Sequence, residues 1–208
     1  MWYRRSWVRA PSDTPRIYKV GHLTGFFAII TYVPHIHTDP GQHDLTAGAY
    51  IVRLDKKEPQ VLLHMHKKLN KYLQFGGHVE LDETPWQTVI HELREESGYE
   101  MDQLKLLQPL SRLTKLSGST LHPLPLVYAT YKYGDLDHFH TDTSYGFVTH
   151  EPPRHVVDEA ESQDIRLFTR NELLNTDEVP DEVREIALYI LDTCLKKWER
   201  PDAGKVTG

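Results

Sequence analysis

The sequence has little cysteine and no long apolar run, and each absence excludes a class of protein. One cysteine, Cys194, stands among 208 residues, so no internal disulfide can form and a reducing, cytoplasmic location is expected. The longest apolar stretch, Leu23 to Val33, is well short of the roughly 20 residues that span a bilayer. The first residues lack the apolar core and small-residue cleavage site of a secretory signal. We therefore expect no membrane span.

The chain also has no excess of positive charge, because its formal net charge is −6. A general DNA-binding protein usually carries a basic face instead. Neither a GxGxxG fingerprint nor a Walker-type phosphate loop occurs, so the common dinucleotide-binding and P-loop folds are not indicated. A metal ion can nevertheless join an acidic site to a phosphate-bearing ligand. We expect a small-molecule partner, with no DNA and no membrane.

Three segments are expected along the chain. Residues 1–43 form an extension of unknown role, residues 44–200 form one domain, and residues 201–208 form a flexible tail. Within the domain, LTAGAYIVRL and QVLLHMH predict two strands of a hairpin or meander around the polar residues 55–58. Residues 181–198 predict a C-terminal helix whose apolar face packs in the core or in a homodimer, with Cys194 as a packed thiol. Further strands are predicted at 104–107, 121–133, 144–149 and 165–168.

The most informative pattern is GGHVELDETPWQTVIHELREESGYE, residues 76–100. Thr84 suits the N-cap of a helix, Pro85 its first position and Gln87 the reciprocal position of a capping box. Gly98 supplies the C-terminal stop. One strong helix is therefore predicted here, and with the strands and the C-terminal helix it predicts an α/β sandwich with a mixed sheet.

Three glutamates of this helix, Glu92, Glu95 and Glu96, are spaced i, i+3 and i+4 and so share one face. Their charges repel, and Mg²⁺ or Mn²⁺, which prefers oxygen ligands and phosphate, would offset that repulsion. A solvated acidic face is the plainer interpretation of three glutamates taken alone. The pair Gly76–Gly77, where the backbone can approach a ligand closely, and Glu83 ahead of the helix favour the metal site.

These residues resemble the Nudix box. Its pattern is glycine, five residues, glutamate, seven residues, arginine–glutamate, an apolar residue, any residue, two glutamates, any residue, glycine and an apolar residue. The positions in register are Gly77, Glu83, Glu92, Leu93, Glu95, Glu96, Gly98 and Tyr99. With YLQFGGHVE before the box and ESQDIRLF after it, the resemblance covers about residues 44–175. It implies a Nudix-type α/β/α sandwich with a mixed sheet, and a pyrophosphohydrolase that cleaves a diphosphate bond in a nucleoside diphosphate linked to another group.

The resemblance also implies site roles. Glu92, Glu95 and Glu96 would ligate Mg²⁺ or Mn²⁺, with the carbonyl of Gly77 or of the supporting Gly76 as a further ligand. Nudix enzymes act on nucleoside triphosphates, dinucleotides, nucleotide sugars, coenzyme A and capped RNA, and the sequence does not select among these.

The general base is left open between two carboxylates. Glu92 is one candidate, and Glu161 outside the box is the other. Glu96 is expected to be catalytic together with these two residues. The alternative for Glu161 is an exposed acid in the acidic run 158–164. Glu83 is expected to support the loop or the metal shell.

One position departs from the box, because His91 stands where the family has arginine. In the family that arginine helps to hold the catalytic glutamates, and a histidine is shorter and only partly charged near neutral pH. Pairing of a charged His91 with the adjacent Glu92, or with Glu95 one turn later, would keep the site active. The alternative is a catalytically weak Nudix domain that acts as a nucleotide-sensing binding module.

Histidines and aromatics supply the remaining candidates. In an extended chain the two imidazoles of an H-x-H pair point the same way, so such a pair could form part of a zinc site. Ordinary strand or loop histidines are the plainer interpretation. A zinc-dependent hydrolase built on these histidines is the third candidate function. His138 and His140 lie in a stretch similar to one in related Nudix proteins and are candidate substrate contacts. Tyr72 and Phe75, beside the glycines, are expected either to stack on a base or to pack in the sheet. The three pairs are His35/His37, His64/His66 and His138/His140.

Overall fold

The structure is a computed structural model that describes residues 43–132, 139–157 and 161–206. Within these ranges eight strands form one mixed sheet with helices on both faces. The strands are β1 (His43–Arg53), β2 (Gln60–His66), β3 (Lys71–Leu73), β4 (Phe75–His78), β5 (Lys105–Leu106), β6 (Val127–Lys132), β7 (Phe139–Thr149) and β8 (Ile165–Thr169). The α-helices are α1 (Pro85–Ser97), α2 (Arg170–Asn175), α3 (Asp181–Tyr189) and α4 (Leu195–Lys197), with a π-helical turn at Ile190–Cys194 and 3₁₀ turns at Met101–Gln103 and Ala203–Lys205.

The strand β1 is central because it pairs along both edges. The sheet order is β3–β2–β1–β7–β5, while β4 also pairs with β1, β6 with β7 and β8 with β2. β1 and β7 run parallel, from His43 opposite Phe139 to Arg53 opposite Thr149. The β1–β2 pair is antiparallel, with Ile51 opposite Leu62. The predicted hairpin and mixed sheet are confirmed. Apart from His43, the predicted extension of residues 1–43 lies outside the described residues.

Alternating side chains along β1 divide the core into two layers. Ala47, Ala49 and Ile51 pack in the layer that contains the buried face of α1. Tyr50 and Val52 point to the opposite face and pack in the layer that contains α3. A strand buried on both faces explains why this segment reads as a nearly continuous apolar run. The predicted α/β/α sandwich is confirmed.

The helix α1 has the ends that the sequence predicts. The Gln87 backbone N–H donates to the Thr84 hydroxyl, and the Gln87 side chain accepts from the Thr84 N–H, completing the capping box. Pro85 is its first residue, and Gly98 ends it in the left-handed conformation with φ of +71°. These local contacts fix where the helix begins, and hence the height of its glutamates along the sheet.

The predicted C-terminal helix is interrupted by the π-helical turn between α3 and α4. Its apolar face, which includes Val183, Ala187 and Ile190, packs in the second core layer, so core packing accounts for that face. Burial raises the pKa of the Cys194 thiol to about 11, so the expectation of a packed, unreactive thiol is confirmed. None of the helices in the described ranges is both long and apolar enough to cross a membrane.

Two features differ from the sequence expectations. The short helix α2 is not predicted from the sequence. It has its own capping box, Thr169 with Glu172, but its two turns are too few to show an apolar period. Residues 201–206 are docked rather than frayed, because Ala203 is 1% exposed and donates its N–H to the carbonyl of Leu104 at 3.0 Å. The flexible tail is therefore wrong for these six residues, whose docking surface belongs to a distant part of the chain.

Candidate functional site

Two glycines of β4 bring its backbone against α1. Gly76 and Gly77 lie opposite Gly48 and Ala47 of β1. A Cβ atom on Gly77 would lie 2.1 Å from Oε1 of Glu92, so any larger residue here would push that carboxylate away. The close approach expected of the double glycine is present, and the group approached is a glutamate of the box.

Gly76 holds the second buried glutamate. Its backbone N–H donates to Oε2 of Glu96 at 2.7 Å. Its φ of +139° is a conformation that other residues rarely adopt, and a Cβ atom would lie 2.2 Å from the carbonyl oxygen of Ala47. The backbone of β4 thereby fixes Glu96 and leaves room for Glu92.

The three box glutamates differ in exposure. Glu96 is 7% exposed, the Glu92 side chain is 18% exposed, and Glu95 faces solvent. A neighbour that the sequence did not indicate is the buried His64, whose Nδ1 lies 3.8 Å from Oε1 of Glu96. Burial lowers the pKa of His64 to about 4, so near pH 7 its ring is neutral and would not stabilise the ionised form of Glu96.

Burial and mutual repulsion raise the pKa of the carboxyls of both Glu92 and Glu96. Burial is the larger cause for Glu96, followed by the charge of Glu92, and its pKa rises to about 8. For Glu92, burial outweighs the lowering effect of His91, and the charges of Glu95 and Glu161 add to the rise, which brings its pKa to about 7. Carboxyls held in this way are stabilised in their charged form by a nearby cation.

These raised pKa values predict that stability falls with rising pH when no divalent ion is present. Glu96 keeps its proton up to about pH 8 in the folded state, but an unperturbed glutamate keeps its proton only up to about pH 4.5. The free energy of unfolding therefore falls as the pH rises through that interval. His64 acts in the opposite sense, but only below its unperturbed pKa of 6.5. Between pH about 6.5 and 8 the free energy of unfolding should therefore fall by roughly 2 kcal/mol.

Urea denaturation in the presence of a chelator at those two pH values measures this change. Glu96→Gln lacks the titrating carboxyl and is the matched comparison, so its free energy of unfolding should fall less. An equal fall in both proteins would contradict the effect of burial on Glu96.

His91 links the loop before α1 to the glutamates. Its Nδ1 lies 2.9 Å from Oε1 of Glu83, and its Nε2 lies 3.5 Å from Oε1 of Glu92. The other oxygen of Glu83 accepts a 2.9 Å hydrogen bond from the Thr88 hydroxyl. The observed partners are therefore Glu83 and Glu92. Glu92 is one of the two expected partners, and Glu83 takes the place of the other, Glu95, because helical side chains lean toward the N-terminus.

Removal of the His91 side chain should slow a reaction that depends on the position of the box glutamates. We expect His91→Ala to lower kcat by roughly 10- to 100-fold, the usual effect of removing a group that orients a ligand, with little change in KM. His91→Arg should recover most of the loss, because a guanidinium can donate to both carboxylates. The matched control is His150→Ala, at an exposed histidine just after β7. Steady-state kinetics with unchanged turnover in His91→Ala would exclude the orienting role.

The candidate base Glu161 lies near the box glutamates. It is half-buried, and its charge raises the pKa of both Glu92 and Glu96, an effect that requires proximity. The structure thus brings a carboxylate from outside the box to the site, across more than 60 residues of chain. Glu83, in contrast, is occupied by His91 and Thr88.

The base stacking proposed for Tyr72 and Phe75 is wrong, because both rings lie in the core. Phe75 is fully buried, and Tyr72 is 6% exposed. The Tyr72 hydroxyl donates to Asp164 at 3.0 Å, and its ring meets Phe168 edge-on with centroids 5.0 Å apart. Sheet packing, the alternative interpretation, accounts for both residues.

The two histidines proposed as substrate contacts fall in different places. His138 lies outside the described residues. His140 is 7% exposed on β7, opposite Asp44 of β1, and its ring lies 5.3 Å from that of His78. No pattern in the sequence indicates that Asp44, His78 and His140 come together, since they are far apart along the chain.

Solved structures with a similar fold include a NUDIX-family hydrolase from Clostridium perfringens. It shares 29% identity over 71% of this chain and 95% of that chain, with a TM-score of 0.60. The Ap4A hydrolase of C. elegans in a binary complex shares 17% identity, over 73% and 98% of the two chains, with a TM-score of 0.52. The NUDIX domain of Shewanella oneidensis NrtR complexed with ADP ribose shares 17% identity, over 75% and 90%, with a TM-score of 0.50.

The sequence itself gives a family assignment. No curated protein matches the chain. The family model described as the NUDIX domain, however, matches residues 43–189, which include the whole box and Glu161. The chain therefore belongs to the NUDIX family and is a pyrophosphohydrolase.

Proposed function

We propose that the chain hydrolyses a diphosphate bond in a nucleoside diphosphate linked to another group, with Mg²⁺ or Mn²⁺ as cofactor. The observation that carries this proposal is the placement of two carboxylates, the buried Glu96 and the partly buried Glu92, against the glycine backbone of β4. The family assignment supports the reaction class.

The residues present fit a hard divalent cation. Glu92, Glu95 and Glu96 offer carboxylate oxygens, and the carbonyl of Gly77 is proposed as a further donor, so the donor set is the all-oxygen one that Mg²⁺ prefers. Glu92 and Glu96 have raised pKa values because burial and like charge disfavour their ionised forms. A cation therefore offsets a cost that the folded protein otherwise carries, and its affinity should rise with pH.

The bound ion would neutralise the phosphate oxygens and lower the pKa of the attacking water. The chain itself positions and moves a proton. Gly76 and His91 hold Glu96 and Glu92 in place. Glu161, or Glu92 in its stead, accepts the proton as the water oxygen bonds to phosphorus and the phosphorus–oxygen bond to the leaving phosphate breaks.

The substrate class is best tested with a panel. Two similar structures, an Ap4A hydrolase and a domain complexed with ADP ribose, support adenosine-containing diphosphates as first choices. Ap4A, ADP-ribose, UDP-glucose, ATP and coenzyme A would each be incubated with Mg²⁺ or Mn²⁺. Mass spectrometry in ¹⁸O-labelled water would then identify the products and the bond cleaved. We expect metal-dependent formation of two phosphate-bearing products from at least one compound.

Other outcomes of the panel distinguish the alternatives. No hydrolysis at saturating metal, together with a raised Tm in the presence of one compound, would favour the nucleotide-sensing module that His91 suggests. Hydrolysis with Zn²⁺ alone would favour the zinc-dependent hydrolase. Either result would overturn the Mg²⁺-dependent proposal.

A cytoplasmic location is proposed as well, and the lone, buried Cys194 supports it. A homodimer stays a prediction. Light scattering coupled to size-exclusion chromatography would test it.

A further inference from the structure

A second group of metal-binding side chains lies at the start of β1. Asp44, His78 and His140 bring three ligand atoms within 4.8 Å of one another. In the part of the chain that the structure describes, no other three histidine, cysteine or acidic residues come this close, and the box glutamates are more widely spaced. Asp44 is 3% exposed and His140 is 7% exposed. The His78 side chain is 28% exposed, so the group has one side open to solvent.

The sheet register builds this group from three strands. Asp44 lies directly opposite His140 in the parallel pair of β1 and β7. His78 ends β4, where it lies opposite Thr46 of β1. Each ligand thus stands on a strand of the central sheet rather than on a loop, which is the kind of support that keeps a metal site in place.

This group faces away from the box glutamates. Side chains alternate along a strand, so Asp44 shares its face of β1 with Thr46 and Tyr50, whereas Ala47 points to the layer of α1. The same alternation separates His78 from its neighbour Gly77, which abuts Glu92 of α1. The two groups are therefore on opposite faces of the sheet.

The spacing suits shared coordination better than a hydrogen bond. Nε2 of His78 lies 3.7 Å from Oδ2 of Asp44, beyond the usual hydrogen-bond limit of about 3.2 Å. Two ligands of a tetrahedral zinc ion, with bonds of about 2.0–2.2 Å, are separated by roughly 3.4 Å. Small side-chain movements would bring the His78 and Asp44 ligand atoms to that separation.

The donor chemistry selects the kind of ion. Two imidazole nitrogens with one carboxylate oxygen suit Zn²⁺ and its transition-metal neighbours, whereas Mg²⁺ prefers oxygen alone. Asp142, two residues after His140, adds a buried carboxylate fixed by the hydroxyls of Thr46 at 2.9 Å and Ser144 at 2.6 Å. Its negative charge further favours a cation at this place.

We propose that Asp44, His78 and His140 bind one divalent transition-metal ion of the Zn²⁺ type, separate from the ion at the box glutamates. Three protein ligands leave the fourth tetrahedral position open for water or an anionic ligand, on the solvent-accessible side of His78. This inference does not rest on the proposed hydrolase activity.

The test uses the full chain without a histidine tag, stripped with a chelator. A Glu92→Gln/Glu96→Gln background removes two charges of the box, so that binding there does not obscure the result. Titration with Co²⁺, followed by its visible ligand-field bands, should show one saturable equivalent that Zn²⁺ displaces, and calorimetry with Zn²⁺ should give the same stoichiometry.

In that background His78→Ala should abolish the bands, because it removes one of three ligands, and circular dichroism checks that the variant, changed at a partly exposed position, is folded. His140→Ala should do the same if circular dichroism shows it folded, and His150→Ala should bind as the background does. X-ray absorption of the Zn²⁺ protein should show imidazole scattering from two histidines. Absence of saturable Co²⁺ and Zn²⁺ binding in the background, or binding that survives His78→Ala, would overturn the proposal.

Discussion

Substitution of Glu96 by glutamine should lower kcat by more than about 100-fold while the protein stays folded, because even outer-shell partners of a metal typically cost 10- to 100-fold. The amide oxygen of glutamine can still accept the hydrogen bond from Gly76, so what is lost is the charge that binds the cation. Removal of a buried, repelled carboxylate should also hold or raise Tm in the absence of metal. Glu95→Gln, at a solvent-facing position, should lower turnover in the same direction.

The measurement is kcat at saturating Mg²⁺ together with Tm in a chelator. Glu58→Gln is the matched control, because Glu58 is an exposed acid between β1 and β2, far from the box in sequence. Near-normal turnover in both Glu95→Gln and Glu96→Gln would remove the metal assignment.

Substitution of Gly76 by alanine should destabilise the fold by about 3 kcal/mol or more. The φ of Gly76 is +139°, which an alanine rarely adopts. Its Cβ atom would also lie 2.2 Å from the carbonyl oxygen of Ala47, and a backbone atom cannot rotate away as a side chain can. Gly118 is the matched control, since its φ is +78° but a Cβ atom there would meet nothing within 4 Å. Gly118→Ala should therefore cost only about 1 kcal/mol, the cost of the conformation itself. Urea denaturation that gives both variants the same loss would contradict the close packing of β4 on β1.

The neighbouring Gly77→Ala should separate activity from stability. Its Cβ atom would meet the end of the Glu92 side chain, which can rotate away. We expect a folded protein with a Tm near that of the unchanged chain and kcat lowered at least tenfold. A variant that folds and turns over normally would show that the position of Glu92 is not critical.

Sequence reasoning succeeded where the determinants are local. The ends of α1 depend on Thr84, Pro85, Gln87 and Gly98, all within two turns of the place they act, and each behaves as predicted. The two faces of β1 follow from alternation within one strand. Such contacts are short-range in the chain, and the residue types state them directly.

It fell short where the determinants are distant. His91 was expected to meet Glu92 or Glu95 on its own helix, but its nearer partner, Glu83, comes from the loop before the N-cap, whose path depends on β4. Phe75 stands beside the glycines in sequence, yet alternation turns its ring into the core. The approach of His64 to Glu96 depends on how β2 is placed relative to α1, which no pattern in either segment records.

The parallel pairing of β1 with β7 joins residues that are 96 positions apart in the chain, as Thr46 and Asp142 are. A ribosome that adds about 5–20 residues per second needs roughly 5–20 s to make that interval. β2 and β4 reach β1 much sooner, since both precede α1. During synthesis the edge of β1 that pairs with β7 therefore stays unpaired until β7 has been made. Newly made chains associate with one another through unpaired strand edges of this kind. A chain that stops before Phe139 would keep that edge permanently open.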